Sequence, residues 1–156
     1  MPRMFRHAVL GAAVLAASHA ALAQSQGYRL DPSHSFVHFE VMHFGTATLR
    51  GRFGPLEGYV EFDRAARRGQ VSVVVPTKIV STGLAVLDSR LRQDDLLGSE
   101  AWPEAFFVAR QFVFEGDALR EVRGEFTLRG TSRPLALRAM SFSCGTHPML
   151  QRPWCG

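Results

Sequence analysis

Cysteine is scarce, with two in 156 residues, which is too few for a disulfide framework to stand in for a hydrophobic core. No unit repeats with a period of roughly 20–50 residues, so a solenoid is excluded. Beyond the N-terminal stretch, no segment approaches the roughly 18 consecutive apolar residues that a membrane-spanning helix needs. Basic residues show no stripe interleaved with aromatics, and their densest cluster, Arg64, Arg67 and Arg68, lies in a turn-like stretch. That argues against a nucleic-acid partner. Sequence signatures of catalysis are missing as well: Gly-x-Ser-x-Gly, His-Glu-x-x-His, Gly-x-Gly-x-x-Gly and the phosphate-binding loop do not occur. Asp94 and Asp95 are neighbours in sequence, so on a helix their carboxylates diverge and form no spaced acid/base pair.

Two patterns are present. The first 23 residues have Arg3 and Arg6, an apolar run from Ala8 to Ala17, and a small-x-small site at Ala21-Leu22-Ala23. This is the layout of a secretory leader, which predicts an exported, periplasmic protein whose fold begins at residue 24. Without Arg3 and Arg6 the chain keeps 16 basic against 14 acidic side chains, a net charge near +2. The second pattern is a period of two. Val60 and Phe62 with Gly58, then Val71, Val73 and Val75, then Val122, Phe126 and Leu128 with Gly124, each alternate with polar residues. Strands with one buried and one wet face favour antiparallel pairing. Phe36 to His43 places Val37, Phe39 and Val41 on one face and His38 and Glu40 on the other, with His43 on the side away from Glu40. Phe106 to Phe114 is aromatic on both faces.

Thr82 to Ser99 breaks the pattern with Leu84, Leu87 and Leu91 at helical spacing, and predicts one short helix across an end of the sheet. About seven strands follow from this count, against the eight common in small closed barrels. An open sheet would leave unpaired edges. The expectation is therefore a barrel that is incomplete at its C-terminus, the alternative being a partner that supplies the missing strand.

Four blocks carry a resemblance. Leu30-Asp31-Pro32-Ser33-His34-Ser35-Phe36-Val37-His38-Phe39 runs on to His43-Phe44-Gly45. Gly51-Arg52-Phe53 leads to Gly58 and Phe62-Asp63. Asp88, Leu91-Arg92 and Asp95 precede Trp102-Pro103-Glu104-Ala105-Phe106. Gly124 to Leu135 forms the last. In this order the chain resembles the YceI-like family of periplasmic, polyisoprenoid-binding proteins. The resemblance implies an all-β, antiparallel, lipocalin-like up-and-down barrel, with one short inserted helix, spanning residues 24–156. It also implies roughly 40 further residues with two more strands, which is compatible with closure. Relatives often carry His at the position of Arg90 and Phe at that of Leu96.

The expected site is the barrel interior. Its ligand-binding candidates are Val37, Phe39, Val41 and His43 on the first long strand, and Val60, Phe62 and Val73 on the next two. Phe106, Val108 and Phe112 follow, then Phe126 and Leu128. Gly58 and Gly124 are expected to leave room for a ligand. An isoprenoid or other amphiphilic lipid is the expected ligand, because each buried CH₂ is worth about 0.8 kcal/mol and an apolar tunnel needs few specific polar contacts. His43 is the candidate to meet its head group, and Arg90, Arg92 and Lys78 are further candidates if that group is anionic. No cofactor is expected, and His34, His38, His43 and Glu40 make a poor metal site. A membrane enzyme and a second copy of the chain are the partners considered. Cys144 and Cys155 fit a disulfide that closes a loop. The rival is a metal- or redox-responsive site with His147. An enzyme acting on a bound lipid, with His43 as its acid/base group, is the other alternative.

Overall fold

The computed structural model describes residues 25–156, so the expected leader, residues 1–23, lies outside it. The chain forms β1 (Gln26–Arg29), β2 (Val37–His43), β3 (Ala47–Phe53), β4 (Glu57–Asp63) and β5 (Arg68–Pro76). A 3₁₀ turn (Thr77–Ile79) and helix α1 (Ala85–Leu91) come next. Then follow β6 (Glu104–Glu115), β7 (Ala118–Leu128), β8 (Thr131–Arg138), β9 (Cys144–Thr146) and β10 (Pro153–Cys155). Six strands build one antiparallel sheet in the order β1-β4-β5-β6-β7-β8, while β2-β3 and β9-β10 are separate two-stranded ribbons. Among the described residues no helix is long and apolar enough to cross a membrane.

The expectation of a barrel is not met: among the described residues no sheet closes on itself. Among the described residues the main sheet ends on β1 and β8, and the β2-β3 ribbon makes an isolated bridge from Arg52 to Ser81, a residue of no strand. The edge-strand argument for closure fails here because the edges are protected by other means. β1 is four residues long, and β8 carries Arg133, Pro134 and Arg138 along its length.

Alternation decides which face of the main sheet is buried. Val60 faces Val71, Val71 faces Ala109, and Ala109 faces Gly124 across neighbouring strands. This inner face holds two core clusters, Leu56 with Val75 and Ala105, and Val71 with Phe107 and Ala109. Val73 and Phe126 pack against both clusters, and Leu128 against the first. The β7-β8 turn is Arg129-Gly130, both at positive φ (51° and 70°), the two-residue form whose twist matches that of the flanking strands.

β6 corrects the expected facing of its aromatics. Ala105, Phe107 and Ala109 point inward, and Phe106 and Val108 stand on the opposite face at 40% and 41% exposure. A register shift between Ala109 and Gln111 then swaps the parity, so that Phe112 returns to the inner face opposite Val122. Reading a single parity through Phe106, Val108 and Phe112 missed this bulge.

Gly58 and Gly124 leave no room for a ligand. A Cβ on Gly58 would meet Leu30 at 2.7 Å and the Ser72 carbonyl at 2.8 Å. One on Gly124 would run into the Val108 carbonyl oxygen and lie 2.5 Å from the Ala109 Cβ. Both glycines serve the close approach of neighbouring chain.

The helix is shorter than expected. It ends at Leu91, and turns carry the chain on to Ser99. At its start Asp88 accepts from the Thr82 amide and hydroxyl, both at 2.7 Å. Past its end, Asp94 and Asp95 would place carboxylates at the negative end of the helix dipole. Asp95 instead turns back to a two-pronged pair with Arg90 at 2.6 Å. Lys78 is likewise paired, with Glu100 at 3.0 Å. Neither cation stands free for an anionic head group.

Candidate ligand-binding groove

The inner face continues beyond the core clusters into an open groove of about 820 Å³. Its floor is Val60, Phe62 and Phe112, inward residues of β4 and β6. Its roof is the stretch 139–156, which supplies Phe142, Pro153 and Trp154. Phe62 is the hub: its ring lies 5.7 Å from Phe112, 6.3 Å from Phe114 and 5.6 Å, edge-on, from Phe142. Aromatic pairs at these separations attract beyond simple burial. The groove lining also carries polar residues, Arg29, Asp31, His34, Ser35 and Arg152.

Among the described residues one backbone bond ties the roof to the main sheet, and the others lie within it. The Ala139 amide donates to the Arg120 carbonyl at 2.8 Å, and Ser143 and Gly156 exchange backbone bonds at 2.7 and 2.9 Å. Cys144 and Cys155 are partners in the β9-β10 ribbon and are joined as a disulfide. His147 Nδ1 accepts from the amides of Met149 and Leu150 at 3.3 and 3.2 Å. The two sulfurs bind each other and the imidazole holds a turn, so these three residues are not arranged as a metal site.

Within the 31–34 turn the Ser33 hydroxyl donates to Asp31 Oδ1 at 2.6 Å, and His34 Nδ1 lies 2.8 Å from Oδ2. These bonds, the Ser33 hydroxyl first, then His34 and the Ser33 amide, hold the Asp31 carboxyl down from 3.8 to about 2. A folded-state value below the unfolded one stabilises the turn fully above about pH 4, and that contribution is lost as pH falls through about 2. Carboxyl NMR titration should show Asp31 titrating near 2 and moving back toward its ordinary value in Ser33→Ala. An unshifted Asp31 in the parent protein would mean the turn does not form in solution.

The other expected ligand contacts fall in three places. Val60, Phe62 and Phe112 line the groove. Val73, Phe126 and Leu128 share its face but are taken up by the core clusters. Val37, Phe39, Val41 and His43 lie together on one face of the β2-β3 ribbon, where Phe39 packs on Phe53 at 5.2 Å. Phe53 in turn touches the Leu56 cluster, so this face leads toward the core, yet Val41 remains 53% exposed. His43, beside the ribbon's tip, rests against the Phe44 ring at 4.2 Å. Across the ribbon, Glu40 is paired with Arg50 at 2.7 Å. Sequence reasoning missed Phe142 and Trp154, which fall outside any alternating run; the flanking cysteines were the available signal that this stretch is folded back.

A family model for the YceI-like domain matches residues 28–150. The chain belongs to the YceI-like family. Among its YceI-like relatives, Protein YceI of Escherichia coli O157:H7 is 32% identical over 129 residues, covering 81% of this chain and 67% of that protein. A UPF0312 protein of Shewanella denitrificans is 31% identical, covering 80% and 63%. Solved structures agree on the fold. The YceI protein of Campylobacter jejuni aligns with a TM-score of 0.56 at 24% identity, over 76% of this chain and 68% of that one. BcnA of Burkholderia cenocepacia aligns with a TM-score of 0.63 at 16% identity, over 75% and 72%.

Proposed function

We propose that this protein binds an amphiphilic lipid of isoprenoid type in the periplasm, with the apolar chain in the groove and the head group toward Asp31 and His34. The supporting observation is the aromatic-lined, open groove of about 820 Å³ on the inner face. A cleft of this size matches the range that encloses a small organic ligand. Burial supplies the affinity, at about 0.8 kcal/mol per CH₂. The role is binding and transfer rather than catalysis, with delivery to a membrane enzyme as its natural outlet.

Native mass spectrometry of protein purified from the periplasm, followed by organic extraction, should yield a bound apolar molecule. Titration with the fluorescent apolar probe N-phenyl-1-naphthylamine should show saturable binding. Phe112→Ser, which removes part of the floor, should weaken it roughly tenfold. Absence of saturable binding by the parent protein would refute the proposal.

A further inference from the structure

We propose that the Cys144–Cys155 disulfide is a thiol-sensitive clasp on the groove, so that reduction by a dithiol releases the bound amphiphile. The inference rests on the lipid-binding reading above and adds to it a means of control.

Every residue that the 139–156 stretch gives to the groove — Phe142, Arg152, Pro153, Trp154, Cys155 and Gly156 — lies inside or beside the loop that the disulfide closes. Besides the disulfide, the stretch is held by the Ala139–Arg120 bond, the packing of Phe142 on Phe62 and the backbone bonds of the short ribbon and its loop. None of its residues is buried, and β9 and β10 are three residues each. A two-stranded ribbon of that length is marginal in water. Closing a loop across a separation of 11 residues removes chain entropy that these few backbone bonds do not offset. The floor has no such dependence: Val60, Phe62 and Phe112 belong to the six-stranded sheet, and Val60 and Phe112 pack against its Val71 cluster. Breaking the disulfide therefore loosens one wall of the groove and leaves the other standing.

The sulfurs are within reach of a reductant. Both cysteines are half-buried rather than enclosed. They line a second pocket of about 380 Å³, which shares Phe62, Trp154 and Cys155 with the groove and is bounded by Asp63, Arg64 and Ala65 at the β4-β5 turn. A dithiol entering there attacks one sulfur as its thiolate and forms a mixed disulfide. Its second thiolate then displaces the cysteine and leaves as a cyclic or protein disulfide. Two electrons and two protons pass from the dithiol to the chain, and Cys144 and Cys155 become thiols.

The test uses the full chain with N-phenyl-1-naphthylamine as the probe. It is titrated oxidised, after dithiothreitol, and after reoxidation, alongside a Cys144→Ser/Cys155→Ser variant. We expect affinity to fall at least tenfold on reduction and to return on reoxidation. The double variant should bind at the weak level whether or not dithiothreitol is present. Hydrogen exchange should show protection lost across 139–156 and kept in β4 to β7. Equal binding by oxidised and reduced protein would overturn the clasp and leave the groove reading intact. No binding by any form would overturn both. Loss of protection throughout β4 to β7 on reduction would also overturn the clasp, because the disulfide would then be holding the whole fold.

Discussion

Phe107→Ala should cost about 3–5 kcal/mol of stability in a urea unfolding series, whereas Phe106→Ala should cost about 1 kcal/mol. The two residues are adjacent and chemically identical, so the contrast isolates the face on which each stands. Phe107 is 4% exposed and packs with Val71 and Ala109, whereas its neighbour is 40% exposed on the outer face. Removing the inner ring leaves a cavity that the six-stranded sheet cannot collapse, because Val73 and Phe126 are held by their own strands. Removing the outer ring leaves a surface that water fills. Equal losses for the two variants, or a larger loss at Phe106, would mean that β6 runs in the opposite parity and that its bulge is misplaced.

Gly124→Ala should lower stability by about 1–3 kcal/mol even though it adds a single methyl group and raises strand propensity. The new Cβ meets the Val108 carbonyl and the Ala109 Cβ, and the first of these is backbone of β6, the strand that pairs with β7 there. Relief requires β6 and β7 to part, which weakens their hydrogen bonds next to the bulge. Ser72→Ala, on the outer face of β5, serves as the control and should shift the midpoint little. A thermal scan that finds the Gly124 variant as stable as its parent would show that the strands separate without cost there.

Most of the strand pattern was legible because its cause is local. β4, β5 and β7 each bury one face against a single core, so alternation alone places Val60, Phe62, Val71, Val73, Val75, Val122 and Phe126 correctly. β6 was misread for a physical reason: apolar side chains on both of its faces carry no parity, and a bulge leaves no mark in composition. Closure was misjudged because pairing partners are a property of the whole sheet. Eight strands is a tendency of closed barrels, and the short β1 and the proline-bearing β8 show how edges persist without them. The groove was half legible. Its floor follows from alternation, whereas its roof depends on the return of residues 139–156 across Phe62, a long-range contact that no window of sequence reports.

The sheet order also fixes where the folding barrier lies. β4-β5 and β6-β7-β8 are each joined by tight turns and can zip up as independent local units. The long excursion 77–103 separates them, and β1 must return to β4 across 30–56. Both hydrophobic clusters straddle the β5/β6 seam, where Val75 meets Ala105 and Val71 meets Phe107. Neither unit buries its apolar face until the two dock, so that docking is both the entropically costly event and the one that brings the chain its cohesion.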